Sequence, residues 1–228
     1  MTLDAEKQAA AQASMRFVKD GNIVGLGSGS TAAYAVRFLA ERVRAGLKIR
    51  GIPTSNETQE LAASLGIPLS TLDEFQSIDV TIDGADEIDP QLQIIKGGGA
   101  AFLREKIVAS ASRQLVIVAD SSKLVMVLGK VPLPVEVIPF AQALVAKEIE
   151  ALGATVGIRR DTSGKPWTTD EGHHILDCHF DRIADAPALA RSLEEIPGVV
   201  EHGLFIHMAD VVLVGNNSGV QELHAPRG

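Results

Sequence analysis

Ile23-Val24-Gly25-Leu26-Gly27 is a short apolar run that ends in a loop of hydroxyls and glycine, Ser28-Gly29-Ser30. A helical pattern follows from Thr31 to about Ala45, with Ala32, Val36, Leu39 and Val43 on one stripe. A buried-type strand, a glycine loop and a helix, in that order, open a βαβ unit and imply a parallel sheet. The residues on either side keep this alternation. A helix is expected over residues 4–19, capped by Thr2 or Asp4 and broken at Asp20-Gly21-Asn22. Lys48–Pro53 reads as the second strand, and residues 57–65 as a short helix behind a Ser55 or Asn56 cap. Ile78–Asp83 alternates, with Ile78, Val80 and Ile82 on one side and Asp79, Thr81 and Asp83 on the other. Gln91–Lys96 is a short extended piece. Ala100–Ser112 is a helix with Leu103, Ile107 and Ala111 towards the core, and Leu115–Asp120 is a further buried strand.

The texture changes near Val131, where VPLPVEVIP is proline-rich and extended. A helix (141–152), a strand (154–160), a turn-rich loop, a strand (173–180), a helix (186–195) and a strand (199–206) follow. The order β-α-β-β-α-β is the ferredoxin-like pattern. Ala209–Gly215 reads as a strand returned to the first sheet. The expected fold is therefore α/β: a Rossmann-like, mostly parallel sheet with helices on both faces, plus an inserted smaller α+β domain of ferredoxin-like type. Residues 1–130 and 207–228 form the first domain on this reading, and 131–206 the second.

With 46% apolar residues among 228, the chain can bury a sizeable core. A net charge of −8 argues against a nucleic-acid partner, which needs a basic face. The N-terminal stretch carries acids and no apolar core, and no apolar run is long enough for a bilayer, so a soluble cytoplasmic protein is expected. The one cysteine, Cys178, alternates with Leu176 and Phe180 and reads as a core residue rather than a nucleophile. No metal site is expected: His173 and His174 are adjacent on a strand and point to opposite faces, and His202 and His207 lack the i, i+4 spacing of a helical zinc pair.

The glycine loop is not a dinucleotide fingerprint. Ser30 stands where the third glycine belongs, and Ile52, Pro53 and Thr54 stand where an acid would hold a ribose. No Gly-Lys-Ser/Thr follows, which excludes a nucleoside triphosphate loop. Ser28, Gly29, Ser30 and Thr31 at a helix N-terminus suit one compact phosphate, or else a tight turn with a Ser/Thr cap.

The densest chemistry lies in Asp83–Lys106. Asp83, Asp86, Glu87 and Asp89 fall within one short stretch, followed by Lys96 and the run Gly97-Gly98-Gly99, then Arg104-Glu105-Lys106 in a helix. Ligands of parallel sheets bind beyond the carboxyl ends of strands, where Gly27–Thr31, Asp83–Asp86 and Asp120–Lys123 are all expected. Lys96 and bare glycine N–H groups can stabilise an oxyanion. Glu87 and Asp89 read as solvated turn residues. Glu105 reads equally as a surface helix residue or as a group over the rim, and Lys123 as a surface lysine or a rim cation.

IVGLGSGSTA (23–32), DGADEID (83–89), KGGGAAFLREKI (96–107), ADSSK (119–123), LGKVPLPVEVIP (128–139) and PGVVEHGLF (197–205) together resemble ribose-5-phosphate isomerase of type A, over nearly the whole chain. The resemblance implies a cofactor-free aldose–ketose isomerase of the non-oxidative pentose phosphate pathway, acting on a small sugar phosphate and usually a homodimer. Carried over by position, Glu105 looks like the general base. Ser28–Thr31, Asp83-Gly84-Ala85-Asp86 and Lys96–Gly99 look like substrate loops, and Lys123 and Lys7 like further ligand lysines. The reaction would then run through a cis-enediolate, with Lys96 stabilising its oxygen and Asp83 and Asp86 relaying hydroxyl protons. Acids clustered near Glu105 should raise its proton affinity. Two other readings differ in what they need. An amino-sugar phosphate deaminase needs a histidine relay near the acids, yet no histidine precedes residue 173. A sugar-phosphate-sensing regulator needs an attached DNA-binding segment, for which the first helix is expected to leave no room.

Overall fold

The structure, a computed structural model, describes residues 1–225. In chain order its elements are α1 (Leu3–Ser14), β1 (Ile23–Leu26), α2 (Ser30–Arg44), β2 (Arg50–Pro53), α3 (Asn56–Ser64), β3 (Val80–Asp83), β4 (Glu87–Ile88), β5 (Ile94–Ile95), α4 (Phe102–Ser110) and β6 (Leu115–Asp120). Then come β7 (Leu133–Val137), α5 (Gln142–Ala151), β8 (Thr155–Ile158), β9 (His174–His179), α6 (Ala186–Glu194), β10 (Val199–His202), β11 (Leu204–Phe205), β12 (Val211–Asn216) and β13 (Gly219–His224). The chain divides into two compact units: Met1–Ala85 with Arg104–Lys123 and His207–Gly228, and Asp86–Leu103 with Leu124–Ile206. The segment 86–103, grouped with the parallel sheet by sequence pattern, clusters with the second unit.

The first unit is built on a six-stranded sheet of order β13-β12-β6-β3-β1-β2. Every pair is parallel except the edge hairpin β12–β13. Alternation puts Val24, Leu26, Val80, Ile82, Val116 and Val118 on one face, under Ala10 and Ala11 of α1 and Val36 and Leu39 of α2. On the other face, Ile52 and Ile78 pack with Val108 of α4. Both faces are thus covered by helices, as a parallel sheet requires. Ile78 belongs to the second of these faces and not, as the alternation suggested, with Val80 and Ile82. A Cβ on Gly25 would lie 2.8 Å from Val108 Cγ1, so the glycine lets α4 approach the sheet.

The helix face presented by α4 corrects the sequence reading. Phe102, Glu105, Val108 and Ala109 are buried, while Ile107 is 43% exposed. The first helix is also shorter than expected: after Ser14 it tightens into a 3-10 turn over Met15–Phe17, and Thr2 rather than Asp4 caps it through its side chain.

The second unit carries the ferredoxin-like sheet, order β10-β7-β9-β8, antiparallel throughout. Val135, Val137, Leu176 and Cys178 of its strands share a core with Val145 and Ile149 of α5 and Ala190 and Leu193 of α6. Burial pushes the Cys178 thiol up to about 12, with Asp177 adding to the effect, so the side chain is an inert core group. A small third sheet, β11-β5-β4, belongs to the same unit and was not anticipated.

Glu87, expected in a solvated turn, is instead 1% exposed on β4. Its two oxygens accept 2.8 Å bonds from Gly129 N and Val131 N, and so tie the start of the proline-rich segment to β4. Glu87→Ala is expected to leave two N–H groups without their charged acceptor and to cost about 3 kcal/mol. A fall in Tm of roughly 6–12 °C by calorimetry checks it. An unchanged Tm would remove the carboxylate from this role. Asp89, by contrast, is a turn residue as read: Oδ1 accepts from Gln91 N at 2.9 Å and Gln93 N at 2.8 Å. Partial burial pushes its carboxyl up, against the pull of these two bonds.

Candidate active site

Within the first unit, β1 and β3 are neighbours whose connections leave in opposite directions, β1 towards β2 and β3 towards β6. Such a switch point opens a crevice beyond the strand ends. The loop after β1 sits directly on the end of β3. Gly27 N donates to Ile82 O at 3.0 Å, and Ser28 N to Asp83 Oδ1 at 3.1 Å. A Cβ on Gly27 would come within 2.5 Å of Asp83 Cα, so only glycine permits this approach. Asp83 is 1% exposed, and its Oδ1 also accepts from Gly84 N at 2.7 Å. Gly84 is buried and Ala85 half-buried at the mouth of the same strand end.

The Ser28 hydroxyl faces a cluster that sequence reasoning missed. It lies 2.8 Å from Thr54 Oγ1, 2.7 Å from Ser55 Oγ and 3.1 Å from Thr58 Oγ1. Thr54 and Thr58 in turn donate to Leu26 O and Gly27 O. The only sequence signal was Ser55, read as a helix cap, which it is. This cluster shapes the loop from behind.

Gly29, at φ +88, turns the chain into α2 and supplies no side-chain cap. The first turn of α2, from Ser30 and Thr31, therefore presents N–H groups that a helix cannot satisfy internally. Lys7 Nζ donates to Ser30 Oγ at 3.0 Å, which places a cation of α1 at this helix end. Thr31 is buried at 8% exposure.

Beyond β6, Asp120 is buried, and its Oδ1 accepts from Ser122 N at 3.0 Å and from the Ser122 hydroxyl. Glu6, one residue before Lys7, is 3% exposed. Its Oε2 accepts from Ser121 N at 3.0 Å and Ser121 Oγ at 2.7 Å. Glu6 thus fixes the turn that ends in half-buried Lys123, a role with no signal in a helix read only for its apolar stripe. Glu105 lies in the first turn of α4 and is 5% exposed. That burial removes the reading of a solvated surface residue.

The second unit holds Asp86 and the run Lys96–Gly99. Lys96 is 3% exposed; its N–H donates to Gly203 O at 2.9 Å, and its Nζ lies 5.5 Å from the Phe205 ring centroid. Gly97, at φ +108, leaves no room for a Cβ, which would meet Pro134 Cγ at 2.5 Å and Phe102 Cδ1 at 2.6 Å. Gly98 N donates to Asp86 Oδ2 at 2.7 Å, so one carboxylate oxygen of Asp86 braces the glycine loop. Gly98 and Gly99 are exposed. Of the three glycine N–H groups expected to be bare, that of Gly98 is engaged within the unit.

Among the histidines, His173 Nδ1 lies 2.9 Å from Glu136 Oε1, and His174 Nδ1 lies 2.7 Å from Gln142 Oε1. Burial pushes the Glu136 carboxyl up, and bonds from Thr169 and His173 oppose this. Among the described residues no group of three or more His, Cys, Asp or Glu is arranged to hold a metal ion, and no helix is long and apolar enough to cross a membrane.

A family model for ribose 5-phosphate isomerase A (phosphoriboisomerase A) matches residues 50–219. The ribose-5-phosphate isomerase A of Parvibaculum lavamentivorans is 49% identical, over 99% of this chain and 100% of its own. A solved ribose 5-phosphate isomerase A from Methanocaldococcus jannaschii is 44% identical with a TM-score of 0.94, covering 98% of this chain and 100% of its own. A solved D-ribose-5-phosphate isomerase in complex with phospho-erythronic acid is 39% identical with a TM-score of 0.96, over 98% and 100% of the two chains.

Proposed function

The chain belongs to the ribose-5-phosphate isomerase A family, and on that premise we propose that it interconverts D-ribose 5-phosphate and D-ribulose 5-phosphate through a cis-enediolate, with Glu105 as the general base. The observation that carries the assignment of the base is the burial of Glu105, a carboxylate 5% exposed on a helix whose neighbouring Ile107 is 43% exposed. A chain that exposes an isoleucine and buries a glutamate on the same helix has a use for the glutamate.

The chemistry is internally balanced and needs no redox cofactor. The proton on carbon 2 of the open-chain aldose is acidified by the carbonyl at carbon 1. Glu105 takes it and returns it to carbon 1, while the hydroxyl proton on oxygen 2 is transferred to oxygen 1. Asp83 and Asp86 relay that second proton and assist opening of the furanose ring. Lys96, with Gly97 and Gly99 N–H groups, stabilises the negative charge on the enediolate oxygen. The phosphate is taken by Ser30, Thr31 and the N-terminus of α2 with Lys7, where dipole and cation add. Ser28 and Gly29 give that loop its shape, Gly84 and Ala85 line the strand end, and Lys123 supplies a further cation.

The same proposal includes a homodimer in the cytoplasm, working in the non-oxidative pentose phosphate pathway. Purified protein is expected to elute at about twice the 24.1 kDa of one chain and to form ketose from ribose 5-phosphate but not from unphosphorylated ribose. Absence of ketose from the phosphorylated sugar would overturn the reading.

A further inference from the structure

Two carbonyls of the 97–99 glycine loop are held by a side chain that has no role in the chemistry above. Arg159 lies just past the end of β8, where its backbone N–H still bonds Ile175 O at 2.9 Å. The register pairs Gly157 with Asp177, so Arg159 and Asp177 project from one face of the sheet as diagonal neighbours, and Gly157 places no side chain between them. The guanidinium meets the carboxylate as a fork, Nε to Oδ2 at 3.0 Å and Nη2 to Oδ1 at 2.5 Å. The two side chains are only 16% and 23% exposed, so solvent competes weakly for either partner. The remaining edge of the guanidinium turns to the loop: Nη1 donates to Gly97 O at 2.8 Å and lies 3.4 Å from Gly98 O. A planar fork fixed by a carboxylate on one edge has a set direction on the other, which a lysine ammonium does not reproduce.

Peptide planarity carries the effect through the loop. A C=O and the following N–H point opposite ways, so holding Gly97 O directs the Gly98 N–H, which meets Asp86 Oδ2 at 2.7 Å. Holding Gly98 O directs the Gly99 N–H in the same manner. Ala100 N also donates to Gly97 O at 3.0 Å and closes a turn over the glycines. With no side chains of their own, Gly98 and Gly99 depend on such backbone anchors for their orientation.

We propose that Arg159, oriented by Asp177, is a positioning residue for the isomerisation, aiming Asp86 and the Gly99 N–H by fixing the carbonyls of Gly97 and Gly98. The inference rests on the reading that Asp86 and Lys96–Gly99 handle the substrate. Loss of alignment by an ångström slows a reaction by up to about 10²-fold.

The test compares Arg159→Ala, Asp177→Ala and the double variant by kcat, KM and Tm. Arg159→Ala is expected to stay folded at assay temperature with kcat reduced roughly 10- to 100-fold, and millimolar guanidinium ion should restore part of it. The double variant should be no slower than Arg159→Ala, because Asp177 acts through the arginine. Wild-type kcat in Arg159→Ala overturns the proposal. So does a loss that follows the unfolded fraction and does not respond to guanidinium. Should Arg159→Ala fail to fold, Arg159→Lys decides: lowered kcat at unchanged Tm supports the proposal, unchanged kcat overturns it. The functional reading fails separately, by an inactive wild-type protein or an active Glu105→Gln variant.

Discussion

Glu105→Gln is expected to lower kcat by on the order of 10³–10⁴, at the upper end of what a positioned proton-transfer group contributes. The amide keeps the size and hydrogen-bonding reach of the carboxylate but cannot accept the carbon-bound proton. Because the site is otherwise intact, ribose 5-phosphate should bind the variant within a few-fold of wild type. The pairing of lost turnover with kept binding distinguishes a base from a packing residue. Glu105 is 5% exposed, so a replacement that merely disturbed packing would weaken binding and stability together. Near-normal turnover in Glu105→Gln would remove it from the mechanism.

Lys96→Met is expected to lower kcat by about 10²–10³, the usual loss when one electrostatic stabiliser of a developing oxyanion is removed. Methionine replaces most of the aliphatic stem of a side chain that is 3% exposed, and it can keep the apolar contact with the Phe205 ring. The backbone bond from Lys96 N to Gly203 O does not depend on the side chain. The change should therefore act on kcat much more than on Tm. A loss confined to KM would indicate a cation that holds ground-state substrate, not one that stabilises the enediolate.

Much of the architecture could be read from local pattern. Alternation and helical stripes located the strands of the parallel sheet, and the β-α-β-β-α-β order of the second unit follows from turns and proline punctuation alone. What stayed hidden was set by partners remote in sequence. Glu87 looked like a turn acid because its acceptors' partners, Gly129 N and Val131 N, lie more than forty positions away. Gln91–Lys96 was legible as extended, but the pairing of Ile94–Ile95 with Leu204–Phe205 on one side and Glu87–Ile88 on the other was not, because no local signal announces it. In α4 apolar residues occur all round the helix, so periodicity had no preferred face, and Ile107 was assigned inward when Phe102 and Val108 are the buried residues. The edge strand β13 carries mostly exposed side chains, which removes the hydrophobic signal that marks an inner strand.

The candidate site shows the same division. Asp83 at a strand end, the glycine run and the helix start at Ser30 were legible as residue types in sequence order. Their supports were not. Thr54 and Thr58 behind Ser28, Glu6 beneath the Ser121 turn and Arg159 beneath Gly97 each act through one or two hydrogen bonds across the fold. A hydrogen bond between distant residues has no periodicity and leaves no trace in a single sequence.

Proton transfer by Glu105 predicts exchange of the migrating hydrogen with solvent. Ribose 5-phosphate is incubated with the enzyme in deuterium oxide and followed by NMR over many turnovers. While the proton rests on the carboxyl group between carbon 2 and carbon 1, it is open to exchange with solvent, and the exchange accumulates over many turnovers. The predicted result is progressive deuterium entry at carbon 1 of the ketose and carbon 2 of the aldose, abolished in step with turnover in Glu105→Gln. Retention of the original hydrogen through many turnovers, the result that direct hydride migration gives, would contradict proton transfer through an exchangeable carboxyl group.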